Sequence, residues 1–155
     1  MNNFEFKIEV FREDFKDQLL DVWERSVLAT HHFLTPVDFE EIKELVKSID
    51  FNELDVFCLT SEGRILGFVG VLNRKVEMLF LDPDYFGQGL GKNLLMFALN
   101  QLGADKIDVN EQNTKAVEFY LRSGFQTYER TDTDDQGRNY PLLRMKLADR
   151  SAHSG

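Results

Sequence analysis

The chain has 155 residues, of which 43% are apolar and 29% are charged, and it contains one cysteine. This length and composition predict a single globular domain with a substantial hydrophobic core. The formal net charge of −9 argues against a general nucleic-acid-binding protein, because such proteins depend on a basic surface. The charge is compatible with cationic partners, although an acidic balance often serves only solubility.

Neither a disulfide nor a membrane span is predicted. Cys58 is the lone cysteine, which excludes an internal disulfide, and its apolar surroundings predict a buried, inert thiol. The N-terminal sequence has no signal-peptide apolar region. The most apolar stretch, residues 65–72, is far shorter than the ~20 residues of a membrane helix. We therefore expect a cytoplasmic protein.

The N-terminal third predicts one strand and two helices. Apolar and charged residues alternate up to Val10, which is typical of a half-buried strand; the apolar members are Phe4, Phe6, Ile8 and Val10. From Glu13 to about Ala29, apolar residues recur every fourth position, as in an amphipathic helix. A second helix is predicted to begin at Thr35, where "TPVD" has a cap, a first-turn proline and Asp38. Its predicted buried face consists of Phe39, Ile42, Leu45, Val46 and Ile49.

Three successive strands are predicted next, at Val56–Thr60, Arg64–Leu72 and Lys75–Asp82, with turns at "SEGR" and "NR". A helix from about Gly89 to Gln101 and the short strand "KIDVN" follow.

The last predicted elements are the helix Thr114–Ser123, ended by Gly124, and a hairpin of Phe125–Thr131 and Tyr140–Leu147 across "DDQG". The order β-α-α-β-β-β-α-β-α-β-β predicts an α/β fold (α+β mixed sheet) with helices against the sheet. We expect one domain over residues 1–147 and a flexible tail over 148–155.

The segment "DPDYFGQGLGKNLL" places Gly87, Gly89 and Gly91 where a strand gives way to a helix. The first turn of a helix has unpaired N–H groups and a partial positive charge, and glycine lets a ligand approach closely. Lys92 follows in that first turn, where the helix dipole disfavours a cation by ~0.3–1 kcal/mol, which favours an anionic neighbour. The alternative is a tight turn that binds nothing.

Two common phosphate-binding loops do not fit these glycines. A Walker A loop, G-x-x-x-x-G-K-[ST], would require Gly at Phe86 and Ser or Thr at Asn93. A dinucleotide loop, G-x-G-x-x-G, would require a third glycine at Lys92, and it would open a βαβ unit rather than follow three strands.

A third loop fits better. "FGQGLG" resembles the pyrophosphate loop Q/R-x-x-G-x-G/A of acetyl-CoA-dependent N-acetyltransferases of the GNAT superfamily, with Phe86 in place of Gln or Arg. "NEQNTKAVEFYLRSGF" resembles that family's later motif, N-x-x-A-x-x-F-Y-x-x-x-G-F. The element order matches the family over nearly the whole chain. Two stretches, "WERSVLATHHFL" and "DDQGRNYPLL", also resemble one bacterial subgroup.

The resemblance implies a GNAT-like fold and the direct transfer of an acetyl group from acetyl-CoA, the acyl-donor cosubstrate, to an amine. Backbone groups of the strand before the loop would pair with the pantetheine and polarise the thioester carbonyl. The implied cofactor-binding residues are Met78, Leu79, Phe80, Phe86, Gly87, Gln88, Gly89, Leu90, Gly91, Lys92, Asn113, Ala116 and Tyr120.

By the same resemblance Tyr120 is the general acid that protonates the departing thiolate; the alternative is a core tyrosine. The candidates for the base are Glu77, His31, His32 and water. Glu77 is equally explained as a solvated charge, and the two histidines are equally explained as helix-end groups. No Cys, His and Asp pattern suggests a metal. Asn113 is also a plausible helix N-cap.

An alternative function is a non-catalytic acyl-CoA-binding or sensing module with a degenerate site, which Phe86 favours and Tyr120 opposes. The acceptor is expected to be an amine, and the net charge favours a cationic one. Members of the family often dimerise, so a homodimer is also expected.

Overall fold

The computed structural model describes residues 5–148, which divide into two compact units, residues 5–104 and 105–148. The helices and strands of the first unit are β1 (Lys7–Val10), α1 (Lys16–Thr30), α2 (Pro36–Lys47), β2 (Asp55–Ser61), β3 (Arg64–Leu72), β4 (Lys75–Leu81) and α3 (Leu90–Gln101). Those of the second unit are β5 (Lys106–Asn110), α4 (Thr114–Arg122), β6 (Phe125–Thr131) and β7 (Leu142–Leu147).

The four strands of the first unit form an antiparallel meander in which each strand pairs with the next along the chain. The turn between β2 and β3 has positive φ angles at Glu62 and Gly63, and the turn between β3 and β4 has them at Asn73 and Arg74. Two successive positive φ angles match the right-handed twist of hairpin strands. Both predicted hairpins are therefore confirmed.

Helices α1 and α3 pack against the sheet of the first unit. The predicted apolar stripe of α1 is confirmed, because Leu19, Trp23 and Val27 are buried with Phe68 of β3. Side chains alternate between the two faces of a strand, so Gly67 faces the other way, toward α3. A Cβ at Gly67 would lie 3.1 Å from Leu94 Cδ1 and 2.8 Å from the Phe80 carbonyl oxygen, so this glycine allows the close approach of α3.

Several predicted boundaries differ from the structure. The first strand begins at Lys7, and Phe4 lies outside the described residues. Residues 13–15 form a 3-10 helix before α1 begins. Leu45, predicted to be buried, is 47% exposed, because α2 packs along positions 39, 42 and 46 and this residue lies beside that strip. Ile49, predicted on the same helix face, packs against the core from beyond the end of α2.

In the second unit, β7 pairs antiparallel with both β5 and β6. It begins at Leu142 rather than at the predicted Tyr140, because Pro141 has no N–H to donate to a ladder and its carbonyl accepts from Glu111 N–H. Gly124, with a φ of +100°, follows the C-cap Ser123 of α4, which confirms the predicted glycine stop, although the helix ends at Arg122, one residue earlier than predicted. The predicted tail, apart from Ala148, lies outside the described residues, and the single domain over 1–147 stays a prediction.

Candidate active site

Strand β4 carries a β-bulge at the position of a predicted base. Its register against β3 pairs Gly70 with Met78 and Val71 with Val76, so Glu77 is the extra residue that faces no partner. A bulge of this kind twists a strand and redirects a side chain, and bulges are common beside active sites. The Glu77 carboxylate lies 3.8 Å from Lys75 Nζ, and about a third of its side chain is exposed.

After the bulge, β4 continues into partly buried residues. Met78 is buried, whereas Leu79 and Phe80 are half-buried. The Phe80 ring contacts the ring of Trp23 on α1 at 6.5 Å and that of Phe68 on β3 at 5.7 Å between centroids. These contacts fix the end of β4 against the core, so its backbone groups are held by packing.

Strand β4 ends one residue earlier than predicted, and Asp82 begins a 3-10 helix, Pro83–Tyr85. The Asp82 side chain is 1% exposed, and its Oδ1 accepts a hydrogen bond from Asp84 N–H at 2.9 Å. Its Oδ2 accepts from Arg25 at 2.6 Å and from Arg64 at 3.3 Å. Sequence reasoning missed this cluster, because its members lie up to 59 residues apart and form no motif.

The glycine loop then turns the chain into α3. Gly87 and Gly89 have φ angles of +79° and +80°, a region that other residues rarely adopt, and Gly89 is the N-cap of the helix. The first backbone bond of α3 runs from Asn93 N–H to the Gly89 carbonyl, so the N–H groups of Leu90, Gly91 and Lys92 have no partner within the helix.

The N-terminus of α3 differs from the other helix starts within residues 5–148. Of the four α-helices there, α3 alone has neither a side-chain cap nor an acidic residue in its first turn. Acidic residues stabilise the first turn of α1 and α2, and the Asn113 side chain caps α4. The open N–H groups of α3 therefore suit an external anion.

Neither backbone conformation nor packing within the chain requires a glycine at position 91. Its φ is not positive, and a Cβ built on it would meet nothing within 4 Å. A glycine inside a helix costs ~0.5–1 kcal/mol relative to alanine. The space that an added Cβ would occupy is thus left open beside unpaired N–H groups, which fits a phosphate that approaches the backbone closely.

The remaining loop side chains point to solvent. Gln88 and Lys92 are exposed, and Phe86 is 42% exposed although it is a large apolar residue. Leu90 is buried, so any ligand contact that it makes comes from its backbone. The structure thus gives Phe86 no packing role that explains it.

His31 caps the C-terminal end of α1. Thr30 Oγ1 donates its proton to the Ser26 carbonyl at 2.8 Å and lies 2.7 Å from His31 Nδ1. Burial, with a smaller effect of His32, lowers the pKa of His31 from 6.5 to about 4. His32 itself is exposed.

In the second unit, Asn113 is the N-cap of α4, and its Oδ1 accepts from Ala116 N–H at 3.3 Å. Tyr120 is buried, with its ring 5.2 Å from the ring of Phe119 and 5.9 Å from that of Phe125. Desolvation raises the pKa of the Tyr120 phenol above its usual value. The predicted cap is confirmed, and the phenol is held in its protonated form.

Comparison with known proteins decides the family. The sequence model of the acetyltransferase (GNAT) domain matches residues 13–148. The chain belongs to this family. The peptidyl-lysine N-acetyltransferase YjaB of Salmonella typhimurium is 38% identical over 134 residues, which cover 86% of this chain and 92% of that protein. The bacterial subgroup predicted from two sequence stretches is thereby confirmed as the YjaB type.

Solved structures agree with this assignment. The solution structure of apo-form YjaB from Escherichia coli matches this acetyltransferase with a TM-score of 0.84 and 35% identity, covering 93% of this chain and 98% of that one. The PaiA N-acetyltransferase of Thermoplasma acidophilum, solved in complex with coenzyme A, shares the fold at a TM-score of 0.68 and 21% identity, covering 92% and 99%. The predicted α/β mixed-sheet GNAT fold and the predicted enzyme class are confirmed.

The structure brings some predicted site residues together. Within the first unit, the β4 residues and the glycine loop form one continuous segment of the acetyltransferase, from Glu77 to Lys92. His31 contacts Thr30 and Phe33 through its side chain, and its backbone bonds to Val27 and Leu34. No helix within residues 5–148 is long and apolar enough to cross a membrane, and no group of three or more His, Cys, Asp or Glu there is placed to hold a metal ion.

Proposed function

We propose that this enzyme transfers an acetyl group from acetyl-CoA directly to the ε-amino group of a lysine side chain in a protein or peptide. The observation that carries the proposal is the open first turn of α3, which has unpaired N–H groups, no cap and a glycine with no intrachain role. The named activity of its YjaB relative supports lysine as the acceptor.

The donor set of the first unit suits the diphosphate of acetyl-CoA. The N–H groups of Leu90, Gly91 and Lys92 would hold the phosphate oxygens, and the Lys92 ammonium adds a positive charge. The β4 backbone at residues 78–80 would pair with the pantetheine and polarise the carbonyl. Acetyl-CoA supplies the acetyl group as an activated thioester.

Direct transfer agrees with the state of the lone cysteine. Cys58 is fully buried, and burial raises the pKa of its thiol to about 12. A thiol in that state gives almost no thiolate near neutral pH, and the thiolate is the nucleophilic form. We therefore assign the attack to the substrate amine, without an acyl-cysteine.

Two proton movements complete the proposed reaction. The amine loses a proton as it attacks, and the departing thiolate gains one, which we assign to the Tyr120 phenol. For the base we favour Glu77, acting directly or through water, because it lies on the β4 bulge and is partly exposed. Burial makes His31 a weaker base than an ordinary histidine.

The assignment of Glu77 is tested with Glu77→Gln, which keeps the shape of the side chain and removes the base. We expect kcat/KM to fall by about 10²-fold, because the acceptor for the amine proton is lost. A variant that keeps the original kcat/KM would transfer the role to His31, His32 or water.

The function itself is tested first by titrating the protein with acetyl-CoA in a calorimeter, with ATP and NADH as controls. We expect saturable binding of acetyl-CoA alone. The protein is then incubated with acetyl-CoA and a peptide that has one lysine and a blocked N-terminus, and acetylation is read by mass spectrometry. Acetyl-CoA binding without acetylation would favour the non-catalytic binding module, and the absence of binding would overturn both functions.

A further inference from the structure

The acetyl-CoA loop of the first unit begins at a buried charge cluster that ties it to α1. Asp82, 1% exposed, is the last residue before the 3-10 helix that leads into the loop. Its own N–H donates to the Leu66 carbonyl at 2.7 Å, and its carboxylate accepts from Arg25, Arg64 and Asp84 N–H. The N–H and both carboxylate oxygens of Asp82 therefore have hydrogen-bond partners.

Arg25 of α1 holds this junction at two points. Its Nη1 donates to Asp82 Oδ2 at 2.6 Å, and its Nη2 donates to Asp84 Oδ2 at 3.1 Å. A planar guanidinium has donors in a fixed fork and can contact two carboxylates at once. A lysine ammonium is a single point charge, so it would not reproduce both contacts with the same geometry.

The residues that follow Asp82 are held by hydrogen bonds to the backbone of Asp82 and Pro83. Tyr85 N–H donates to the Asp82 carbonyl at 2.9 Å, and Phe86 N–H donates to the Pro83 carbonyl at 3.2 Å. The positive φ angles of Gly87 and Gly89 follow at once, and the Gly89 carbonyl accepts the first backbone hydrogen bond of α3 from Asn93 N–H. The hydrogen bonds of residues 82–86 therefore set the direction in which the chain leaves β4, upstream of the glycines.

We propose that Arg25 is a positioning residue for acetyl-CoA, acting through Asp82 and Asp84 on the loop of residues 86–92. The proposal rests on the proposed function of that loop. Arg64 assists, because its guanidinium contacts Asp82 and also lies over the Tyr85 ring at 5.8 Å. A loop held in its binding geometry loses less conformational freedom when the diphosphate binds.

The test compares variants by their Kd for acetyl-CoA and their kcat at saturating acetyl-CoA. Arg25→Met is expected to raise Kd by about 3- to 30-fold with kcat within about twofold of the original, since couplings of this kind are typically modest. Arg25→Lys should give an intermediate Kd. Asp84→Asn, at an exposed residue, removes one arm of the fork and should raise Kd even if Arg25→Met fails to fold.

Lys43→Met is the matched control. Lys43 Nζ lies 3.0 Å from the carboxylate of Glu24, the α1 residue next to Arg25, so the variant removes an ion pair of α1 that does not reach the loop. It should lower the melting temperature as an ordinary structural change does, with Kd unchanged. Equal Kd values in Arg25→Met, Asp84→Asn and the original protein would overturn the inference, whereas an original protein that fails to bind acetyl-CoA would overturn the proposed function beneath it.

Discussion

The buried environment of Tyr120 determines the protonation state of its phenol. The ring contacts two phenylalanines, and desolvation is the cause that raises the pKa of the phenol. A phenol in this state stays protonated over the whole physiological range, which a general acid requires. The raised pKa also makes it a weaker acid, so its contribution should lie toward the lower end of general-acid effects.

We predict that Tyr120→Phe lowers kcat by about 10²-fold while Kd for acetyl-CoA is unchanged, because only the proton donor is lost. Release of free thiol from acetyl-CoA measures kcat, and calorimetry measures Kd. Tyr128→Phe, at an exposed tyrosine of β6, is the control and should have no effect on either. Unchanged turnover in Tyr120→Phe would reject the general-acid assignment.

At His31 burial has a consequence for stability. The pKa of His31 is lowered from 6.5 to about 4, so the unfolded chain binds more protons than the folded one between these values. The contribution is fully present above pH 6.5 and decreases as pH falls toward 4.

We therefore predict that the free energy of unfolding falls as pH is lowered from 6.5 to about 4, and that His31→Asn reduces this slope. Urea unfolding at a series of pH values measures it. His32→Asn, at the exposed neighbour, should change the slope less than His31→Asn does, because His32 is the smaller cause of the lowered pKa of His31. An NMR titration that places the His31 midpoint near 6.5 would contradict the prediction.

Among the elements, α3 has a first turn that is unfavourable for helix stability but suited to binding an anion. Gly87 and Gly89, which precede the helix, are required by their positive φ angles, whereas Gly91 within it is required by neither conformation nor packing. A helix start without a cap and with a glycine in its first turn is weak by itself. Weak local structure at an otherwise well-packed helix is expected where function takes precedence over stability.

We predict opposite effects of Gly91→Ala on stability and on binding. The variant should raise the free energy of unfolding by ~0.5–1 kcal/mol, because alanine is the better helix former, and it should weaken acetyl-CoA binding at least about tenfold, because its methyl group fills the space beside the N–H groups.

Urea unfolding and calorimetry give the two quantities for Gly91→Ala. Asn100→Ala, at an exposed position in the last turn of α3, is the control that changes helix propensity without touching the first turn. It should stabilise the fold and leave Kd unchanged. If Gly91→Ala also left Kd unchanged, the phosphate site would have to lie elsewhere.

For the molecule as a whole, the charge balance bears on the choice of acceptor. The formal net charge is −9, and acidic proteins attract cationic partners over distances of about a Debye length. Such a field changes association rates more than it changes the chemistry of a bound substrate.

We predict that a lysine peptide flanked by arginines is acetylated with a higher kcat/KM than one flanked by glutamates, with similar kcat for both. The ratio should shrink as salt is raised toward about 1 M, where the Debye length is only ~3 Å. Initial rates with both peptides at several salt concentrations test this. A preference that does not change with salt would point to a specific contact instead of the overall field.

Much of the fold could be predicted from local patterns. The strands β3, β5 and β6 begin and end at the predicted residues, because alternation, turn residues and hydrophobic runs are local signals. The 3-10 helices and the bulge at Glu77 could not be predicted in this way, since both depend on how a segment meets its neighbours. Leu45 was misplaced for the same reason: the helix pattern is local, but the strip of α2 that packs is chosen by the core.

The sequence alone determined the family, through the glycine loop, the later motif and the order of elements. It also predicted an anionic ligand at the start of α3, from the three glycines and from Lys92 in the first turn. Only the tertiary structure decided two features of the electrostatic surroundings: which histidine is desolvated, and that Asp82 joins α1 to the loop. Burial and contacts between residues far apart in sequence arise only when the chain folds, so no local pattern can specify them.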